Sequence, residues 1–322
     1  MTKPNIFAHL QRRCMTSRSV ERVFQGKPTI EGAGVKLMRA FGGSGLAEFF
    51  DPFLLLDDFG SRYPHEYLAG FPWHPHRGIE TVTYLLKGEV HHEDSTGTKG
   101  VIRSGDLQWM TAGSGIFHAE MPKPTLKPGS SETLNTEVRG FQLWVNLPAK
   151  HKMTEPRYRN LERENAPRAV LDDGTKITLV AGELKRVPRL GHLVGPVKGL
   201  AVDATYLDVH MPPSSSLEFT VHDEYTAFAY LSEGVAQFSK EKVIVSPKSV
   251  VLFSREGATV NVVTEEESAD FLLVSGRPLG EPIAWYGPIV MNTQAELEKA
   301  LEELSTGEFI KTKATTYDYF AD

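Results

Sequence analysis

From Val20 onward the chain is a succession of short runs rich in β-branched and aromatic residues, each bounded by Gly, Pro, Asp or Ser. Examples are "GVKLMRAF", "TVTYLLKGEV", "DLQWMTA", "RGFQLWVNL", "AVDATYLDVHM", "SVVLFS" and "DFLLVSG". Runs of this kind read as strands, and many short strands at even spacing predict an all-β sandwich or barrel. The end of the chain differs. "TQAELEKALEELSTGEF" has Thr293 and Glu296 at capping-box spacing, an apolar stripe of Leu297, Ala300, Leu301 and Leu304, and Gly307 as a stop, so one amphipathic helix closes the fold.

A weak internal repeat gives the domain organisation. "TVTYLLKGEV" lies on "AFAYLSEGVAQF" 146 residues further on, matching Tyr84 to Tyr230, Leu85 to Leu231 and Gly88 to Gly234. Two copies of one β-domain agree with a length of 322 residues at roughly 150 residues per domain. The proline-marked stretch at 146–160 has no strand period and is the expected boundary. The expected division is a basic leader over 1–18, a first barrel over 19–148, a second over 149–292, and a helix and tail over 293–322.

Composition excludes several classes of function. A formal net charge of -6 and a pI near 6.0 argue against a general phosphate-binding surface, so no direct nucleic-acid binding is expected. "KRVPRLGH" (185–192) and "KEKVIVSPK" (240–248) are the basic stretches, each read first as a solvated face. A mean hydropathy of -0.26, without an apolar run near the roughly 18 residues that span a bilayer, gives no membrane role. A single cysteine, Cys14, forms no internal disulfide, and the first thirty residues carry no secretory h-region, so an intracellular protein is expected; its expected state is a monomer. Lys3, Arg12, Arg13 and Arg18, with no acid before Glu21, suit either an organelle transit peptide or a plain basic leader.

The chemistry is carried by "GFPWHPHRGIE" and, about thirty residues later, "TAGSGIFHAEM". His74 and His76 stand one residue apart, as do His118 and Glu120, and side chains at i and i+2 of an extended segment point to the same side. Two such pairs at hairpin separation can meet around one ion, whereas a lone histidine on a strand is usually an ordinary polar residue. Three imidazoles and a carboxylate suit Fe, Ni, Cu, Co, Mn or Zn. Spacing leaves the carboxylate open: Glu80 shares strand parity with His76, Glu120 with His118. At the repeat offset His74, Glu80 and His118 fall on Thr220, Thr226 and Thr264, and only His76 keeps a histidine, His222, so one metal per chain is expected. Other groups weigh less. His91, His92, Glu93 and Asp94 read as a solvated hairpin, and "GGSG" (42–45) lacks the Lys-Ser/Thr ending of a phosphate loop.

The ordered runs "DPFLLLDDFG", "FPWHPHRGIETVTYLLKGEVHHEDSTG", "GDLQWMTAGSGIFHAEMP", "FQLWVNLP" and "GEPIAWYGPIVMNT" resemble the pirin family of cupins from about Ser19 to Thr293. The resemblance implies an all-β bicupin, two antiparallel jelly-roll barrels face to face with a short C-terminal helix and one divalent metal, usually Fe(2+), in the N-terminal barrel. On matching positions the ligands are His74, His76, His118 and Glu120, and Glu80 becomes a group that orients an imidazole. Two functions follow from the resemblance. One is quercetin 2,3-dioxygenase activity on a flavonol and O2, with Glu120 as the base for the 3-hydroxyl and Phe71, Trp73 and Trp109 stacking on the rings, ordinary core packing being their alternative. The other is transcriptional co-regulation in the nucleus through a transcription-factor partner, which places the protein in nucleus, cytoplasm or both.

Overall fold

The computed structural model of the chain describes residues 16–127, 129–187, 191–313 and 315–318. These are predominantly strand, with two α-helices, Ser44–Phe50 and Gln294–Thr306, among the described residues. Contacts divide the chain into two compact units: Lys27–Asn165 with Leu279–Asp322, and Met1–Gly26 with Ala166–Pro278.

That division differs from the linear one, because each unit recruits a terminal segment. Val20–Gln25 pairs antiparallel with Ser249–Phe253 and is an edge strand of the second unit, not the head of the first. Arg157–Leu161, placed beyond the boundary by the sequence, pairs with Leu107–Thr111 of the first unit, and residues 279–292 also belong there. The leader stops short of Arg18. That side chain is fully buried and donates to the carbonyls of Gly257, Tyr225 and His222 at 2.9, 2.6 and 2.6 Å. Residues 1–15, with Cys14 and the transit-peptide expectation, lie outside the described residues, as does part of the basic stretch 185–192.

Among the described residues each unit is built on two main sheets that hydrogen bonding does not close into a barrel. In the first unit an eight-stranded sheet runs in the order Lys27–Glu31, Val35–Gly42, Phe53–Ser61, Val138–Asn146, Ile79–Lys87, Leu107–Thr111, Arg157–Leu161, Thr315–Asp318. A four-stranded sheet runs Phe71–His76, Ile116–Lys123, Glu89–Asp94, Lys99–Arg103. The second unit repeats this plan with seven and four strands. The repeat read from sequence is visible in it. Ile79–Lys87 and Thr226–Gly234 take equivalent central places, and Gly88 and Gly234 end them at φ 86° and 75°, a conformation glycine adopts without the penalty a side chain incurs.

The two interiors differ in chemistry. The second unit is filled by hydrocarbon, with Phe271 meeting Phe219 and Phe238 edge-on among Leu179, Leu207 and Phe253. In the first unit a row of polar residues crosses the large sheet from strand to strand, Arg39 opposite Asp57, Asp57 opposite Gln142, Gln142 opposite Thr83 and Thr83 opposite Gln108. Polar groups in register on an inner face need partners, and those partners form the site below.

The C-terminal helix forms as its sequence predicts. Thr293 Oγ1 accepts from the Glu296 amide at 3.2 Å, Glu296 accepts from the Thr293 amide at 2.9 Å, and Gly307 ends the helix in the left-handed region. Its stripe of Leu297 and Ala300 packs with Ile289, Met291 and Phe309. No comparable sequence sign marks Ser44–Phe50, which has seven residues and no side-chain cap and is held by Phe50 stacking on Phe41, ring centroids 3.9 Å apart.

Candidate metal centre and its cleft

The two histidine pairs meet because their strands are neighbours. Phe71–His76 and Ile116–Lys123 pair antiparallel with His118 directly opposite His74, and His76 one alternation further along the same face. The three rings lie 4.4 to 5.0 Å apart between centroids, and a ligating nitrogen from each falls within 4.8 Å of the others. Gly78 makes the exit from the first of these strands feasible. Its φ is 77°, and a Cβ there would meet the Val290 carbonyl oxygen at 1.9 Å.

The ring nitrogens fit a metal. His76 and His118 are 1% and 2% exposed, and neither nitrogen of either ring has a hydrogen-bond partner in the protein. A buried polar atom left in that condition costs about 1–3 kcal/mol, which coordination would offset. Burial first, and then the neighbouring histidines, hold both rings well below the ordinary histidine range, so each presents a neutral lone pair. His74 Nδ1 donates to the Pro72 carbonyl at 2.8 Å, which puts the proton there and leaves Nε2 free.

Glu120 stands beside this trio. Its Oε2 is 3.9 Å from His118 Nε2, and it is held by two neutral donors, Thr83 Oγ1 at 3.1 Å and Gln142 Nε2 at 2.9 Å. Trp144 Nε1 donates in turn to Gln142 Oε1 at 3.2 Å, and the Trp144 ring meets His76 edge-on at 5.1 Å. A register shift between Phe71 and His74 lets Glu120 keep its alternation with His118 while the partner strand carries one more residue, a bulge of the kind that re-aims side chains at sites.

Glu80 does something else. Trp109 Nε1 donates to it at 2.9 Å and Thr111 Oγ1 at 2.6 Å, with Arg159 at 3.8 Å, and it bonds no imidazole. It lies three residues from Thr83 on one strand and so on the opposite face of the sheet. Its strand parity with His76 is lost because Gly78, at φ 77°, turns the chain between them. Trp109 is likewise not at a barrel mouth: it is 1% exposed and committed to Glu80. The hairpin read as solvated is half buried. His92 and Asp94 point inward, His92 accepting from Gln108 at 2.9 Å, while His91 and Glu93 point out to Glu89 and Lys99. Burial alternates strictly over residues 89–94, while in the sequence Val90 alone marks the inward face.

Two buried cations brace the site. Arg77, next to His76, donates to the carbonyls of Ser114 and Phe309 and to Glu303 of the C-terminal helix, each at 2.7 Å. Lys152 donates to the carbonyls of Gly78 and Val290 at 2.8 and 2.9 Å and to Asn146 Oδ1. Burial pushes its pKa down to about 7, while three acceptors around one nitrogen favour the ammonium.

His74 and His76 open onto a cleft of ≈ 740 Å³, within the range of small-molecule sites. Phe71, Trp73, Trp144, Trp285 and Tyr286 form its aromatic walls, and Trp73 and Tyr286 are exposed at its rim. Of the aromatics expected from sequence, Phe71 and Trp73 line it and Trp109 does not. Trp144, Trp285 and Tyr286 escaped the sequence reading, since long-range pairing alone brings them there.

A two-unit jelly-roll protein with one cluster of three imidazoles belongs to the cupin class. Residues 34–145 match the Pirin family model and residues 206–310 that of the Pirin C-terminal cupin domain. The chain belongs to the pirin family. A pirin-like protein of Caulobacter vibrioides is 42% identical over 92% of this chain and 100% of its own length. The crystal structure of a quercetin 2,3-dioxygenase from Acinetobacter baumannii superposes with a TM-score of 0.80 at 31% identity, covering 91% of this chain and 99% of that one. A bacterial pirin from Escherichia coli in complex with nickel(II) shares the fold at a TM-score of 0.54 and 19% identity, over 80% of this chain and 99% of that one.

Proposed function

We propose that this chain is a metal-dependent flavonol 2,3-dioxygenase whose ion, Fe(2+) first among Fe, Ni, Cu, Co, Mn and Zn, is held by His74, His76 and His118 with the Glu120 carboxylate. The observation that carries this reading is the convergence of three imidazoles, two of them buried with unpartnered nitrogens, beside an aromatic-walled cleft that His74 and His76 line. Similarity to the A. baumannii quercetin 2,3-dioxygenase supports the choice of substrate. When bound, such an ion supplies Lewis acidity toward the flavonol oxygen and a meeting place with O2.

The chain's own residues do the rest. Phe71 and Trp73, with Trp285 and Tyr286, form apolar surface for a flat three-ring substrate and displace water from it. Glu120 is the base nearest the histidines, and it takes the 3-hydroxyl proton. Thr83 and Gln142 fix its carboxylate in position for that transfer. Both atoms of O2 are added to the substrate at C2 and C4, the C2–C3 and C3–C4 bonds break, and C3 leaves with its oxygen as carbon monoxide. Among the described residues no helix is long and apolar enough to cross a membrane.

Aerobic turnover of quercetin by metal-reconstituted protein tests the reading, with His74→Ala plus His118→Ala as control. Consumption of quercetin that the double variant abolishes is expected; consumption unchanged by it removes the proposed site. The alternative, an iron-bearing nuclear co-regulator, predicts a protein that keeps its metal and leaves quercetin untouched.

A further inference from the structure

Away from the histidines the cleft carries an ion triad that the proposed chemistry does not use. Arg39 binds Asp57 through two parallel bonds, Nε to Oδ1 and a terminal nitrogen to Oδ2, both 2.9 Å, and its other terminal nitrogen binds Glu31 at 2.9 Å. All three residues line the cleft together with His76, whose buried ring nitrogens lack partners. Two carboxylates face one guanidinium, so this end of the cleft carries a net negative charge. Every donor of the guanidinium that faces these carboxylates is taken, while each carboxylate oxygen keeps a spare lone pair for a further hydroxyl.

We infer that Asp57 and Glu31, bridged by Arg39, form the distal end of the substrate cleft, which accepts uncharged adjacent hydroxyls on an aromatic ring and turns away anionic substituents. The inference rests on the reading of the cleft as a flavonol site and adds orientation and selectivity to it. The sheet register supplies the geometry. Asp57 is one strand from Gln142, whose amide holds Glu120, and Arg39 and Glu31 lie on the next two strands out. At about 4.8 Å per strand, Asp57 lies about 5 Å and the Arg39 strand about 10 Å from Gln142, a range that brackets the roughly 6–7 Å between a flavonol's 3-hydroxyl and its 4′-hydroxyl. A flavonol whose 3-hydroxyl is at Glu120 therefore directs its catechol ring B toward Asp57 and Arg39, and a 4′-substituent onward toward Glu31. The two ends differ in sign: the metal end favours a developing negative charge on the substrate, and the triad end favours neutral donors.

Equilibrium dialysis under nitrogen of the metal-loaded full chain, with quercetin and quercetin 4′-sulfate at pH 6, tests this. The sulfate is expected to bind about tenfold more weakly than quercetin, the scale of one like-charge contact in a partly solvated cleft. Glu31→Gln is expected to narrow that gap, and Asp57→Asn to narrow it further. Equal binding of the two ligands by the unaltered chain overturns the inference. So does a gap that neither substitution changes, since that marks exclusion by bulk alone. Quercetin that binds with this selectivity but is not consumed in air sinks the dioxygenase reading and leaves the triad's role standing; normal turnover with no discrimination does the reverse. Absence of quercetin binding overturns both.

Discussion

His76 and His118 are the residues on which most depends, because their nitrogens are buried without partners. Adding Fe(2+), under nitrogen, to metal-free protein at a hundredfold excess over its dissociation constant should raise unfolding stability by about 2.7 kcal/mol, and the same addition to His76→Ala should raise it far less. Denaturant unfolding with and without the ion measures both. Gln142 acts one contact further out. Gln142→Leu removes the donor that holds Glu120 and the acceptor for Trp144, and should lower quercetin turnover roughly 10- to 100-fold while metal content per chain stays unchanged. The histidine trio was legible because i, i+2 spacing survives in any extended strand. Glu80 and Trp109 were misread because face assignment across Gly78 needs the turn geometry, and a buried indole bonded to a carboxylate has the same sequence signature as one awaiting a ligand. The triad of Glu31, Arg39 and Asp57 left no sequence signal, since only strand order brings those residues together.

At the scale of elements, the C-terminal helix is tied to the metal strand by Arg77 and Glu303. Burial opposes the charge on Glu303, and Arg77 with Lys311 outweighs it, holding the carboxyl below the ordinary glutamate range. A carboxyl with a depressed folded pKa contributes stability that is fully present above its unfolded value near 4.5 and is lost as pH falls through the folded value. The stability difference between the native chain and Glu303→Gln should thus be constant above pH 4.5 and close on further acidification. Thermal unfolding at a series of pH values checks it, and a difference that stays constant down to acid pH would mean the pair is not an ion pair. The helix itself was readable from its caps and stripe. Its partner was not, because Arg77 and Glu303 are far apart in sequence and neither pattern names the other. The inward turn of His92 and Asp94 was obscured by four consecutive polar residues, with Val90 alone to mark the inward face.

For the whole molecule, the repeat was legible as sequence and is legible as structure, yet the two copies have diverged in what fills them. Phe219, Phe238 and Phe271 pack the second unit, and His222, the counterpart of His76 at the repeat offset, is exposed and stacks on Tyr225. Among the described residues the one group of three metal-ligating side chains is His74, His76 and His118. Chelator-washed and reconstituted protein should therefore hold one equivalent of metal per chain after desalting, by elemental analysis; two retained equivalents would place a second centre outside this account. Exchange of terminal segments between the units was not legible, because strand pairing over two hundred residues has no local signature. The central claim joins the fold, the histidine trio and the cleft in one reaction, and turnover of quercetin under isotopically labelled O2 tests it most directly. The iron-loaded chain is expected to yield a ring-opened product carrying both labelled oxygen atoms, with carbon monoxide released unlabelled, and His118→Ala to yield neither. Unlabelled product, or labelled product formed equally by His118→Ala, would contradict it.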